Sequence, residues 1–328
     1  MKAIQITEIG SFELTEVQTP DPAGNEVLVK VDVAGLCRTD LKIIEVGHRD
    51  LTLPRIPAEE VVGTICELGD NVDSSWQNKR VYIYPGTSCG ECEACLKEAE
   101  NLCQEMQIMG FHRDGGFAEF VTAPVESLIE LLDELSAHKA VFAEPLSCCL
   151  NALELANLKK DEAIGIWGSG PAGTLLSKAS EAIGAKPTVI EPDARRRKLI
   201  NGIEKLSDEL FDVAIPAVGS PDAYKDAVKH LKPRGRLVAF SGLPHDNCTI
   251  QIDTNSLHYL EQTIVGAYGC SYKHGVQAIE LINSGKIQVE DMISHEFPLE
   301  NIEDALELVR TRAGMKILLY PNRKAKKT

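Results

Sequence analysis

The feature that most restricts this 328-residue chain is the run AIGIWGSGPAGTLLSKASEAIGA, residues 163–185. An apolar strand pattern stops at a glycine, passes through Gly168-Ser169-Gly170-Pro171-Ala172-Gly173, and resumes at helical spacing. The turn fits G-x-G-x-x-G. Between a strand and a helix, such glycines permit the tight turn and let a pyrophosphate approach backbone N–H groups at the helix N-terminus. The turn alone is weak evidence, but Glu191 closes the next apolar run, PTVIE, 23 residues after Gly168. A carboxylate there accepts both ribose hydroxyls of an adenosine. Together they point to a bound dinucleotide, with Gly168, Gly170, Pro171, Ala172, Gly173 and Glu191 as candidate contacts. The carboxylate repels a 2′-phosphate and so favours NAD. In Arg195-Arg196-Arg197 just beyond it, Arg196 can turn inward to meet such a phosphate, which leaves NADP open.

The alternation continues through FDVAIPAVG, PDAYKDAVKHLK, GRLVAFSG and QTIVGAYG. Strands alternating with helices imply an α/β fold with a parallel, doubly wound sheet from about 160 to 270. Before it, up to about residue 135, the chain reads as short strands with turn signals: EVLVKVDVAGLC, EEVVGTICELGD, KRVYIYPGT and GGFAEFVTAP. SAHKAVFAEPLSCCLNALELANL then predicts a helix with Ser136 as N-cap. The last part is mixed, with helices at HGVQAIELINSG and NIEDALELVRTR, an extended HEFPL and a strand at MKILLYP. At roughly 150 residues per domain, the length suits two domains.

With 34 Lys+Arg against 49 Asp+Glu, the net charge of -15 repels nucleic acid and anionic lipid. The one basic cluster, RKAKK at 323–327, reads as a solvated tail. The opening MKAIQITEIGSFELTEV alternates like a strand and lacks the apolar core of a signal peptide; no stretch approaches the roughly 20 apolar residues of a membrane span. A cytoplasmic protein is the expectation, so its ten cysteines are read first as thiols or metal ligands.

Four of them, Cys89, Cys92, Cys95 and Cys103, are separated by two, two and seven residues in CGECEACLKEAENLC. Four thiolates this close can surround one tetrahedral Zn²⁺ and leave no open position, so a structural zinc lobe is expected at about 86–104. Cys66, Cys148, Cys149, Cys248 and Cys270 are expected to be buried or half-buried thiols, and Trp76 and Trp167 to be packing residues.

In order along the chain, Gly35-Leu36-Cys37-Arg38-Thr39-Asp40, IPAEEVVG, the four-cysteine lobe, DGGFAEFVTAP, AEPLSC, GIWGSGPAG, LINSGKI, HEFPLENIEDALELV and MKILL resemble the zinc-containing alcohol and polyol dehydrogenases of the medium-chain dehydrogenase/reductase family. The resemblance implies a GroES-like catalytic domain from both chain ends, residues 1–149 and 271–328, and a Rossmann domain over 150–270. It also implies a homodimer or homotetramer acting on a small alcohol or ketone. Only LINGIEKLSDEL separates Lys198 from Phe211, where the family fits a third strand and another helix. That strand should be very short, near 202–206, leaving the adenine side of the groove open.

The same resemblance implies a second, catalytic zinc held by Cys37, by the histidine of a Gly-His-Glu triplet and by Glu144, with Thr39 relaying the alcohol proton. Lys42 stands where some members carry a further relay histidine. The triplet is Ala58-Glu59-Glu60 here, so Glu59 replaces the histidine and Glu60 keeps its place in or just outside the metal shell. Cys37, Glu59 and Glu144 then bring three negative charges, and Glu60 a fourth, which makes the metal a poorer Lewis acid and also suits Mn²⁺ or Mg²⁺. Three readings stay open: Glu59 replaces histidine in a working site; the metal is kept and substrate bound differently; or the metal is lost and acid/base work passes to Thr39, Lys42 or a glutamate. His48 is a further candidate ligand. The expected activity is NAD-dependent interconversion of a secondary alcohol, such as a polyol or sugar alcohol, with its ketone. The alternatives are a reductase of the same fold without catalytic zinc and a non-catalytic dinucleotide-binding protein.

Overall fold

The computed structural model describes residues 1–198 and 200–323, so most of the basic tail lies outside the described residues. The chain divides into two units, one made of Met1–Glu144 with the chain from Ser271 onward, the other of Pro145–Cys270.

In the first unit a mixed sheet is organised around the strand Glu26–Leu36, whose EVLVKVDVAGL is buried at most positions. Its β-branched residues suit a strand covered on both faces. It pairs antiparallel with Glu60–Leu68 along one edge, Gly35 opposite Glu60. Its other edge takes Phe120–Pro124 near its start and Lys316–Tyr320 near its end, with Leu36 opposite Ile317. Arg80–Ile83 and Leu128–Glu130 extend the sheet on one side, and Ile293–Pro298 on the other. Val27, Val29, Val31, Ile65, Phe117, Leu306 and Leu319 lie in one apolar core. Burying each large side chain contributes about 1.5–3 kcal/mol. A separate two-stranded ladder, Gly86 opposite Ile108 and Thr87 opposite Gln107, forms the base from which the cysteine lobe projects.

In the second unit five parallel strands stand in the order Lys186–Ile190, Ala163–Trp167, Phe211–Pro216, Leu231–Ala239, Thr263–Gly266. The expected third strand is reduced to one parallel bridge, Ile190 to Ile203. Trp167 packs edge-on to Phe211 and donates its indole N–H to Asp226 at 2.8 Å, and Trp76 packs partly buried on the other unit's core.

Two local expectations change. The segment from Ser136 is two helices, Ala137–Ala140 and Ala143–Leu155; Ser136 holds the N-cap position of the first as expected, but its hydroxyl meets His138 Nε2 at 3.3 Å and not a backbone N–H. Cys248 is exposed, because it follows a short 3₁₀ turn, His245–Asn247, whose residues all face solvent. Helical periodicity carries no information about a break after one turn, and composition none about a loop cysteine.

Candidate active site

The dinucleotide turn lies wholly in the second unit. Gly168 has φ +107°, a conformation in which an L side chain is strained, and its N–H donates to Ile190 O at 2.8 Å. Gly170 is the N-cap of helix Pro171–Ile183, and proline at the first helical position removes an N–H that would have no helical partner. A Cβ on Gly173 would overlap Gly168 O, so only glycine lets helix and turn close. A Cβ on Gly170 would meet nothing nearer than Arg196 Nη1 at 3.4 Å. That open approach to a helix N-terminus fits a pyrophosphate. Ala172 accepts from Cys149 Sγ at 3.5 Å through its carbonyl. Glu191 is buried, with Oε2 accepting from Ser169 N–H and Ser169 Oγ, both at 2.9 Å, and Oε1 from Asp193 N–H at 3.0 Å. It braces the glycine turn, and its remaining lone pairs can still receive ribose hydroxyls. Arg196 is half-buried beside the turn, while Arg197 is tied to the Glu191 and Pro192 carbonyls at 2.8 and 2.9 Å.

In the first unit, the Sγ atoms of Cys89, Cys92, Cys95 and Cys103 lie within 4.8 Å of one another. Individual separations are 3.9 Å for Cys89–Cys95, 3.5 Å for Cys92–Cys95 and 3.5 Å for Cys103–Cys89. Four sulfurs about 2.3 Å from a tetrahedral Zn²⁺ stand about 3.8 Å apart, so the lobe fits that ion. Backbone N–H groups point at the sulfurs: Cys89 and Glu105 donate to Cys103 Sγ, and Cys92 to Cys89 Sγ, each at 3.4 Å. The amide of Cys95 draws the Cys92 thiol down to about 6, whereas Cys103 stands at about 11, the amides of Cys89 and Glu105 being outweighed by burial and the thiols of Cys89 and Cys95.

The remaining candidates form an acidic group elsewhere in the same unit. Cys37 follows the central strand and is the N-cap of helix Arg38–Glu45, its N–H donating to Asp40 Oδ2 at 2.8 Å. Thr39 and Lys42 are exposed on that helix. Ala58 has φ +91° and is held by the glycines of DGGF: Gly116 N–H donates to Ala58 O at 3.2 Å and Gly115 N–H to Ile56 O at 2.7 Å. A Cβ on Gly115 would overlap Ala58 O. The strained turn delivers Glu59 and Glu60 to different partners.

Glu60 is 2% exposed, and its Oε2 is ion-paired with the ammonium of Lys316, which is buried to the same degree. A Cβ on Gly35 would overlap that carboxylate, so the glycine makes its room. Burial pushes Lys316 down to about 8, although Cys37 and Asp40 oppose this, and the ammonium stands 5.6 Å from the centre of the Phe142 ring. Glu59 is half-buried; burial lifts its carboxyl well above the usual range, and Glu144 and Asp40 lift it further. Burial likewise raises the Cys37 thiol, with Asp40 and Glu59 adding to it, and raises Asp40 to about 6.

Such mutual repulsion is what a divalent cation would reverse. A thiolate and two carboxylates, from Cys37, Glu59 and Glu144, are acceptable donors for Zn²⁺ or a harder ion, so the donor chemistry fits. Glu60 is committed to Lys316 instead. Among the described residues, the ligand atoms of Cys37, Glu59, Glu60 and Glu144 do not gather within 4.8 Å as the lobe cysteines do. His48 accepts from Asp50 N–H of its own loop at 3.3 Å and packs edge-on to Phe111.

Lys316, Asp40 and Gly35 lie within the quoted motifs, but from the sequence they were given no part in the site. The signal for Lys316 was a single charge inside an apolar strand run, MKILL, beside a motif with surplus carboxylates.

Comparison with known proteins bears on the fold and the family. Residues 23–133 match the alcohol dehydrogenase GroES-like domain, and residues 171–284 match the zinc-binding dehydrogenase domain. A sorbitol dehydrogenase of Bacillus subtilis is 29% identical, with 98% of each chain covered. A structure of a putative zinc-binding dehydrogenase from Sinorhizobium meliloti, bound to NADP, superposes with a TM-score of 0.91 at 27% identity, covering 98% of this chain and 99% of that one. An Escherichia coli alcohol dehydrogenase complexed with NADH gives 0.89 at 25% identity, again covering 98% and 99%. Two domain matches in the right order and likeness along almost the whole chain leave no segment needing another origin: the chain belongs to the medium-chain dehydrogenase/reductase family and is an enzyme of its NAD(P)-dependent alcohol dehydrogenase type.

Proposed function

We propose that the enzyme interconverts a secondary alcohol, of the polyol or sugar-alcohol class, with its ketone, using NAD, and that Cys37, Glu59 and Glu144 hold a catalytic divalent cation. The observation that carries this reading is the separation of the glutamate pair. Lys316 neutralises Glu60, while Glu59 stays with Cys37 and Glu144 in a half-buried acidic group. Setting Glu60 aside lowers the charge offered to a cation from four to three. When bound, the cation polarises the alcohol oxygen and favours loss of its proton.

The chain's own residues do the rest. Gly168, Gly170 and Gly173 shape the turn that receives the pyrophosphate, and Glu191 receives the adenosine ribose. Thr39, exposed two residues beyond Cys37, hands the alcohol proton to solvent. A nicotinamide cofactor held by that turn would supply the hydride acceptor or donor for the substrate carbon. Arg196 beside Gly170 extends the cofactor range to NADP. The cytoplasm, and a homodimer or homotetramer, belong to the same proposal; no helix among the described residues is long and apolar enough to cross a membrane.

A second reading, a reductase without this cation, has one observation in its favour: the four ligand atoms do not gather as the sulfurs do. Glu59, with its raised carboxyl, would then keep a proton to donate. Metal analysis by mass spectrometry separates the two. We expect two metals per chain in wild type, one of them lost in Cys37→Ser and in Glu59→Ala while circular dichroism is unchanged. One zinc per chain, indifferent to both changes, removes the proposal.

A further inference from the structure

Two cysteines unused by the proposed function meet inside the second unit. Cys148 lies in helix Ala143–Leu155 and Cys270 follows the edge strand Thr263–Gly266, yet their Sγ atoms stand within 4.8 Å of each other. A neighbour holds the approach: Asn151, almost one turn along the same helix and 6% exposed, donates Nδ2 to the carbonyls of Tyr268 at 3.3 Å and Gly269 at 2.9 Å. The segment ending in Cys270 is therefore pinned to the helix that carries Cys148. The adjacent Cys149 is turned elsewhere, its sulfur on the Ala172 carbonyl. The pair is asymmetric, with Cys148 half-buried and Cys270 buried.

We propose that Cys148 and Cys270 form an oxidisable dithiol, a modification site that a low-molecular-weight disulfide such as oxidised glutathione converts into an intramolecular disulfide. The better exposed thiolate, Cys148, attacks one sulfur of the small disulfide. That bond breaks, a mixed disulfide forms on Cys148, and the first small thiolate leaves and takes up a proton. Cys270 then attacks Cys148 Sγ and displaces the second small thiolate, which takes the other proton. Two protein thiols are oxidised and one small disulfide is reduced to two thiols. Side-chain rotation has to bring the sulfurs to about 2.05 Å, while the hydrogen bonds of Asn151 keep the two backbones in place. The resulting bond ties the segment leaving the parallel sheet to the helix that enters the unit, beside the helix of the dinucleotide turn.

The test uses the full-length, zinc-loaded enzyme incubated with oxidised glutathione, alkylated, digested with chymotrypsin without reductant and mapped by tandem mass spectrometry. We expect a linked pair containing Cys148 and Cys270, lighter by two hydrogens than the two free peptides and separated again by dithiothreitol. Cys149→Ala retains the link. Cys270→Ser abolishes it and leaves one glutathione on Cys148. A bond between Cys148 and Cys149, stable glutathione adducts without any link, or reaction at the exposed Cys248 with both proposed thiols left unmodified would each overturn the proposal. If a variant fails to fold, the wild-type map alone decides.

Discussion

At the scale of single residues, the acidic group depends on side chains whose own chemistry is ordinary and whose surroundings are not. Lys316 and Glu60 are both 2% exposed, so removing either leaves its partner as an uncompensated buried charge. Lys316→Met should cost about 3–5 kcal/mol in urea unfolding, and adding Glu60→Gln should restore much of it. Gly35→Ala should be damaging for the same reason, since its methyl group would occupy the place of the Glu60 carboxylate. Ala58 offers the opposite case. At φ +91° it carries the strain that glycine avoids, and Ala58→Gly should stabilise by roughly 1 kcal/mol, read as a higher urea midpoint at unchanged slope. The adjacent carboxylates of Ala58-Glu59-Glu60, and the surplus of negative charge they bring, were legible in the sequence. What the sequence did not disclose is how the two glutamates divide, because the cation that separates them arrives from residue 316.

At the scale of elements, the strand Glu26–Leu36 and the helix it leads into set the electrostatics. Asp40 closes the capping box at Cys37, and burial lifts it to about 6, above the ordinary carboxylate value. The folded state therefore binds its proton more tightly than the unfolded chain does. The contribution of Asp40 to stability falls as pH rises from about 4 through about 6 and is constant above, with roughly 3 kcal/mol at stake. Asp40→Asn should lose that part of the slope in unfolding curves taken from pH 4 to 7. The cysteine lobe behaves separately, resting on a two-residue ladder and a four-residue helix. Cys92→Ser, or a strong chelator, should speed amide exchange over residues 86–108 and release zinc, with little change at the parallel sheet. Spacing was enough to anticipate that the four sulfurs gather, because all four cysteines lie within fifteen residues. Spacing was not enough for the segment from Ser136, where continuous helical periodicity hid a break after Ala140.

At the scale of the whole molecule, the two units are closed differently. The parallel unit is one continuous stretch with its own core of Trp167, Phe211, Tyr224 and Leu237. The other is completed by the chain's return: Lys316–Tyr320 pairs with the end of the central strand and brings the ammonium for Glu60. Deleting residues 311–328 should therefore abolish the unfolding transition of that unit, followed by circular dichroism, because it opens the sheet at 34–36 and strands a buried carboxylate. By itself the sequence determined what depends on neighbours along the chain: the glycine turn, the alternation of strand and helix, and the thiol cluster. Only the tertiary structure decided which carboxylate is neutralised, which glycine makes room for it and which two cysteines meet. A buried charge is governed by what packs around it, and here the packing partners come from opposite ends of the chain.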